Sequence, residues 1–99
     1  MNEDIIKLIT CPITLDIFCE PVILSDGHTY EKDVIIEMLK ENKISPITRN
    51  FLNDDLNNLV SNYLVKNLVN QALTHGLIKS EQIYQINYGQ YVINDLFFE

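Results

Sequence analysis

Ser25-Asp26-Gly27-His28-Thr29-Tyr30-Glu31 is the stretch around which this chain is organised. An apolar run, Pro21-Val22-Ile23-Leu24, leads into it, and a run of helical character from Asp33 to Asn42 leads out. Asp-Gly between two β-prone segments is a strong turn signal, because glycine takes positive φ without steric cost. The reading is a small hairpin, Val22–Leu24 against Thr29–Tyr30, that feeds a helix. Upstream, Cys11-Pro12-Ile13-Thr14-Leu15-Asp16 reads as one loop, since Pro12 disfavours helix at Cys11. Downstream, Ser45-Pro46-Ile47-Thr48-Arg49 reads as a second.

The first helix starts at Glu31 or Asp33 and runs to Glu41, with acidic residues at its start to suit the helix dipole. Val34, Ile35, Met38 and Leu39 share a face. Ile35 and Leu39 are expected in the core, whereas the flexible Met38 suits the rim of a groove. A second helix starts near Ser61 or Asn62, both good N-caps. Its apolar face is Leu64, Val65, Leu68, Val69, Ala72 and Leu73, and His75-Gly76 is a fitting stop. Residues 1–10 form either a short helical turn or an extended lead-in. Beyond residue 76 the texture changes: Tyr84, Ile86 and Tyr88 alternate with Gln85 and Asn87. A hairpin turning at Gly89-Gln90 and a further helix are both open readings there. Leu96-Phe97-Phe98 needs a partner, in cis or in trans. No internal repeat or low-complexity linker is seen.

Composition bounds the function. With 46% apolar residues but only three Gly and three Pro in 99 residues, the chain reads as one folded domain. A net charge of −7 with seven Lys and Arg leaves no basic patch for nucleic acid. An acidic surface favours a basic protein partner instead. No apolar run reaches the roughly 18–20 residues of a membrane span, and the acidic start lacks the basic region of a signal peptide. The expectation is a soluble, cytoplasmic protein with Cys11 and Cys19 reduced.

Three chemistries compete. Cys11, Cys19 and His28 are potential zinc ligands, but structural zinc needs four, usually in close pairs. Here Thr14 and Glu31 stand three residues after Cys11 and His28, and the second loop holds Ser45 and Thr48 but no thiol. A cysteine nucleophile paired with His28 lacks an orienting third group and an oxyanion motif. The third candidate is a surface. Ile13 and Leu15 in one loop, and Pro46 and Ile47 in the other, flank a helix carrying Met38, with Arg49 at the edge. Together they form a shallow apolar groove.

Five stretches carry a family resemblance, in order and in register. They are Cys11-Pro12-Ile13-Thr14, Glu20-Pro21-Val22-Ile23-Leu24, Gly27-His28-Thr29-Tyr30-Glu31, Ser45-Pro46-Ile47-Thr48-Arg49, and Leu59-Val60-Ser61-Asn62-Tyr63-Leu64-Val65-Lys66-Asn67-Leu68. From about residue 9 to 76 the chain resembles the U-box domain of ubiquitin ligases. The resemblance implies an α+β, RING-like fold of two bracing loops, a short β-hairpin, a central helix and a C-terminal helix, without zinc. Residues 1–8 are then a lead-in and 77–99 an extension that serves a partner or self-association. Polar contacts replace the metal, and Thr14, Ser25, His28, Ser45 and Thr48 are the candidates to brace the loops.

The implied activity is scaffolding. The domain binds a ubiquitin-conjugating enzyme charged with ubiquitin and promotes transfer to a lysine of a protein substrate, with no covalent intermediate and no cofactor. By position, Ile13, Leu15, Met38, Pro46 and Ile47 contact the conjugating enzyme. Arg49 matches the arginine that hydrogen-bonds both that enzyme and ubiquitin. Two departures stand out: Ser61 replaces a common Pro, and Met38 a common Trp, so the groove is expected to prefer a different subset of conjugating enzymes. The alternative is a non-catalytic module that docks or sequesters a conjugating enzyme, in a host cytosol if the source is a pathogen, or that self-assembles as a homodimer.

Overall fold

The computed structural model describes residues 2–85. Its hairpin is where the sequence places it. Strand β1 (Pro21–Ile23) pairs antiparallel with β2 (Thr29–Glu31), with Val22 opposite Tyr30 and Ile23 opposite Thr29. Gly27 takes φ +83° at the turn. The Leu24 N–H donates to the His28 carbonyl at 3.0 Å, and the Asp26 carboxylate accepts the His28 N–H at 3.0 Å. An Asx-type bond of this kind fixes the turn locally. A third strand, β3 (Val60–Ser61), adds to the free edge of β1, giving the order β2-β1-β3. Two residues are too few to show a periodicity, so this strand had no signature in the sequence.

Three helices complete the frame: α1 (Asn2–Leu8), α2 (Lys32–Glu41) and α3 (Tyr63–Thr74). Residues 2–8 thus take the helical alternative. Helix α2 follows β2 with no intervening loop, and Glu31 is its N-cap residue without a side-chain capping bond. Helix α3 is capped as expected: Asn62 Oδ1 accepts the Val65 N–H at 3.1 Å. The same amide donates through Nδ2 to Thr29 Oγ1 at 2.8 Å, tying α3 to β2. At the far end Gly76 sits at φ +76°. There the Leu77 N–H reaches the Ala72 carbonyl at 2.8 Å and the Gly76 N–H the Leu73 carbonyl at 3.2 Å, the paired bonds of a Schellman stop.

The core has two parts. Val22, Leu24, Tyr30, Ile35, Leu39 and Leu52 pack between the hairpin and α2. Ile9, Cys11, Ile17, Phe18, Val69, Ala72 and Ile78 pack beneath α3. Ile13 touches both clusters and joins them. Among the described residues no helix is long and apolar enough to cross a membrane.

Packing continues past residue 76. Ile78 is buried, and Leu77 and Ile83 lie against the α3 cluster. A 3₁₀ turn, Ser80–Gln82, brings Ile83 into a parallel bridge with Ile17. The Tyr84 hydroxyl then donates to Asp33 Oδ2 at 3.1 Å. The hairpin-or-helix alternatives for the remainder, and the Leu96-Phe97-Phe98 run, lie outside the described residues. Because Ile78 is a full core member, Ile78→Ala is expected to cost about 2–5 kcal/mol in urea denaturation, as much as a truncation within α3.

Candidate functional site

The two loops turn out to be copies of one structure. Cys11-Pro12-Ile13-Thr14-Leu15-Asp16 and Ser45-Pro46-Ile47-Thr48-Arg49-Asn50 follow one pattern, which corrects the expectation of no internal repeat. In each, the first and last residues pair: Cys11 N–H to the Asp16 carbonyl at 2.9 Å, Ser45 N–H to the Asn50 carbonyl at 2.8 Å. In each, the fifth N–H returns to the first carbonyl, from Leu15 at 2.9 Å and from Arg49 at 3.0 Å. The first side chain accepts the third N–H, through Cys11 Sγ at 3.4 Å and Ser45 Oγ at 3.1 Å. The threonine hydroxyl accepts the sixth N–H, through Thr14 at 3.1 Å and Thr48 at 3.2 Å. The fifth residue takes a left-handed conformation in both, Leu15 at φ 63° and Arg49 at φ 68°. Non-glycine residues are rarely found there, so both tips hold a strained backbone.

Two polar clusters brace these loops against the hairpin. At the second loop, Asp26 Oδ2 accepts both the Tyr30 hydroxyl at 2.6 Å and the Ser45 hydroxyl at 2.7 Å. Ser45 Oγ in turn accepts the Thr48 N–H at 2.9 Å. At the first loop, the Glu31 N–H donates to Cys11 Sγ at 3.4 Å, and its buried carboxylate accepts the N–H groups of Cys19 and Glu20, between that loop and β1, at 2.8 and 2.7 Å. That is why Glu31 does not cap its own helix. Lys66 holds the same segment from α3, donating to the Cys19 carbonyl at 2.6 Å. A third clasp joins Ser25 to Asp54, whose carboxylate accepts the Ser25 N–H at 3.0 Å and its hydroxyl at 2.7 Å.

The five residues put forward for bracing therefore fall into three sets. The side chains of Ser25 and Ser45 cross between segments, whereas those of Thr14 and Thr48 each close their own turn. His28 contributes its backbone N–H, and its imidazole has no hydrogen bond among the described residues. Asp26, Tyr30, Glu31, Asp54 and Lys66 carry much of the load and were not singled out for it. Asp26 and Glu31 stood in the quoted turn stretch, but a turn residue and a helix-start residue have local explanations that conceal a distant partner.

Burial pushes the Glu31 carboxyl above its ordinary range, which the bonds from Cys19 and Glu20 only partly offset. Burial acts upward on Asp26 too, but the bonds from Tyr30, the His28 amide and Ser45 outweigh it and hold that carboxyl low. The Tyr30 hydroxyl is pushed up to about 12 by burial and by Asp26. Burial, followed by the Glu31 charge, raises the Cys19 thiol, the opposite of what a thiolate nucleophile requires. Cys11 is fully buried. Among the described residues no group of three or more His, Cys, Asp or Glu side chains is placed to hold a metal ion.

The groove is real on one side. Met38, Asn42, Ile44, Ser45, Pro46 and Arg49 line a shallow depression of ≈ 310 Å³ between the end of α2 and the second loop. Three of the contact candidates, Met38, Pro46 and Arg49, thus meet. Asn42 and Ile44 join them, residues that end the helix and carry no motif of their own. Ile47 and Leu15, 42% and 75% exposed, stand at the two loop tips. Ile13 differs: it is half-buried and packs on both core clusters.

Asp26 sets a measurable pH dependence. Its folded value lies below the ordinary 3.8, so between those two values the unfolded chain binds more protons and stability falls as pH drops. Glu31, raised from 4.5, has the opposite sign: its contribution is lost as pH rises through its folded value. Asp26→Asn is therefore expected to flatten the acid limb of stability below about pH 4. Asp26→Ala, which strips Ser45 and Tyr30 of their acceptor, is expected to cost about 1–3 kcal/mol at neutral pH. Urea denaturation across pH reads both.

Comparison with known proteins agrees with this geometry. The family model of the U-box domain matches residues 7–75. The chain is 48% identical over 60 residues to an Arabidopsis thaliana protein named E3 ubiquitin-protein ligase CHIP, covering 60% of this chain and 21% of the relative. It is 44% identical over 64 residues to the Putative E3 ubiquitin-protein ligase LIN-1 of Lotus japonicus, 64% of this chain and 4% of that one. It is 37% identical over 76 residues to U-box domain-containing protein 17 of Arabidopsis thaliana, 76% of this chain and 10% of the relative. The chain thus spans about a fifth or less of the length of these relatives. With its β2-β1-β3 sheet, its helices and a match over most of its length, this chain belongs to the U-box domain family.

Proposed function

We propose that this chain is a ubiquitin ligase module: it docks a ubiquitin-charged conjugating enzyme on its two loops and promotes transfer of ubiquitin to a substrate lysine. The observation that carries the reading is Arg49. It sits on the rim of the groove with Met38 and Pro46, on a backbone held left-handed by the second loop. A strained residue fixed by its surroundings is a recurrent feature of functional sites. Its guanidinium is a planar, charge-assisted donor, suited to bridging two carbonyl-bearing partners at once. Holding enzyme and ubiquitin together restrains the thioester in a near-attack arrangement, which lowers the barrier without any covalent step on this chain. No cofactor enters the scheme. The names of relatives, two of which are called ubiquitin-protein ligases, support the same reading.

Within the proposal, Leu15, Ile47, Pro46 and Met38 supply the apolar contact. Ile13 supports it from beneath, because its side chain is committed to the core. The setting is the cytoplasm, where free thiols such as Cys11 and Cys19 stay reduced.

Single-turnover discharge of ubiquitin from a panel of charged conjugating enzymes onto free lysine tests the proposal. Wild type is expected to accelerate discharge with at least one member. Arg49→Ala is expected to lose about 10–100-fold of that acceleration while docking persists. Leu15→Ala is expected to weaken docking itself; it is a cleaner probe than Ile13→Ala, which also opens a cavity between the two core clusters. Docking without acceleration, unchanged in Arg49→Ala, would instead identify a binding module.

A further inference from the structure

The twin loops share a backbone but not a grip. The second loop is held at Ser45, whose hydroxyl donates to Asp26 in the cluster with Tyr30. The equivalent residue of the first loop is Cys11. Its sulfur, a weak acceptor, takes the backbone N–H groups of Ile13 and Glu31 at 3.4 Å each. The stems differ as well. Thr10 bridges Ile17 at the base of the first loop, as Ile44 bridges Phe51 at the base of the second. Among the described residues, the first stem alone gains a further strand, through the parallel bridge of Ile17 with Ile83. The Ile17 N–H donates to the Gln82 carbonyl at 3.0 Å, and its carbonyl accepts the Tyr84 N–H at 2.8 Å.

That strand belongs to residues 77–84, which lie beyond the stretch matched by the family model, 7–75. Ile78 roots the segment in the core, and Ile83 packs against the same cluster. Its far end is latched where the Tyr84 hydroxyl meets Asp33 Oδ2 at 3.1 Å, in the first turn of α2. Among the described residues that hydroxyl is the one donor the Asp33 carboxylate meets, and Asp33 Oδ1 is shielded from solvent without a partner. A shielded carboxylate with a single bond depends on that bond. Burial and then Asp33 push the Tyr84 hydroxyl up to about 12, so near neutral pH it stays a donor. The segment thus runs as a strap from the end of α3, along Ile17, to the start of α2. It ties the stem of the first loop to the helix that carries Met38. We propose that residues 77–84 are part of the docking machinery, and that Tyr84 is a positioning residue that holds the first loop, with Leu15 at its tip, through Ile17. When the latch opens, the strap frays from Ile17 and the first loop leaves its docking conformation. Apparent affinity then falls by the fraction of time the loop is out of place. The second loop, gripped by Asp26, keeps its place and Arg49 with it. The inference rests on the ligase reading for what docks, but not for which loop moves.

Two readouts on the full chain test it, with Tyr84→Phe, which keeps the ring and removes the latch, beside Asp33→Asn, which keeps an acceptor for the hydroxyl. In amide hydrogen exchange the second loop is the internal control. Tyr84→Phe is expected to speed exchange at Cys11, Leu15 and Ile17 about tenfold, and to leave the equivalent amides of Ser45 and Arg49 unchanged. Asp33→Asn is expected to exchange as wild type does at both loops. In single-turnover discharge, Tyr84→Phe is expected to raise the half-saturating concentration about three- to tenfold with the rate at saturation unchanged. That is the converse of Arg49→Ala. Equal speeding at both loops would make Tyr84 a global support, and no change at either would leave the strap without a hold on the loop; each overturns the proposal. So does a first loop that exchanges faster with half-saturation unchanged. A wild type that accelerates discharge from no conjugating enzyme defeats the ligase reading instead, and the exchange result then decides the strap.

Discussion

Alternate side chains of a strand point to opposite faces, and the site depends on that one fact at Tyr30 and Glu31. Tyr30 joins the Asp26–Ser45 cluster and holds the second loop. Glu31, its neighbour, turns the other way and takes the Cys19 and Glu20 amides just before β1, while its own N–H reaches Cys11 Sγ of the first loop at 3.4 Å. Adjacent positions of a short strand thus clasp both loops with no additional element between them. The arrangement carries a cost, since a carboxylate is held in a fully buried position and its pKa rises. Two amide donors at 2.7–2.8 Å offset part of it, consistent with charge-assisted bonding.

The twin loops turn this bracing into a surface. A first residue that accepts the third amide, a proline, and a fifth residue in the left-handed region produce the same tight excursion twice. Sulfur serves at Cys11 and oxygen at Ser45, both fully buried, and the oxygen also donates to Asp26 at 2.7 Å. Equivalent positions then diverge in chemistry. The first tip presents an apolar Leu15, the second a cationic Arg49. One backbone design, read out with different side chains, yields an exposed surface with an apolar end and a charged end.

Rigidity beneath the groove comes from the two core clusters. Helix α2 buries Ile35 and Leu39 and thereby fixes the angle at which Met38 emerges. Ile13 links that cluster to the one under α3, to which Ile17, Ile78 and Ile83 add the segment after residue 76. Helix α3 is tied back twice, by Asn62 to Thr29 and by Lys66 to Cys19. The two loops are therefore held by the whole domain, and a surface ordered in advance keeps the ordering cost of binding low.

Much was legible in the residues alone. Asp26-Gly27 determined the hairpin, because only a turn tolerates that pair between β-prone runs. Helical spacing located Ile35 and Leu39 in the core, and Asn62 and Gly76 bounded α3, because caps and stops are local chemistry. The motifs in register identified the family, and Met38, Pro46 and Arg49 were named before their meeting was visible. What the tertiary structure decided was pairing at a distance. Only the fold brings Asp54 to Ser25, Glu31 to Cys19, Lys66 to the same segment, and β3 to the edge of β1. It also separates Ile13, committed to the core, from Leu15, free at the surface, two residues that look alike in sequence. Local patterns record what a residue does with its near neighbours; a carboxylate 29 positions from its partner leaves no trace until the chain closes on itself.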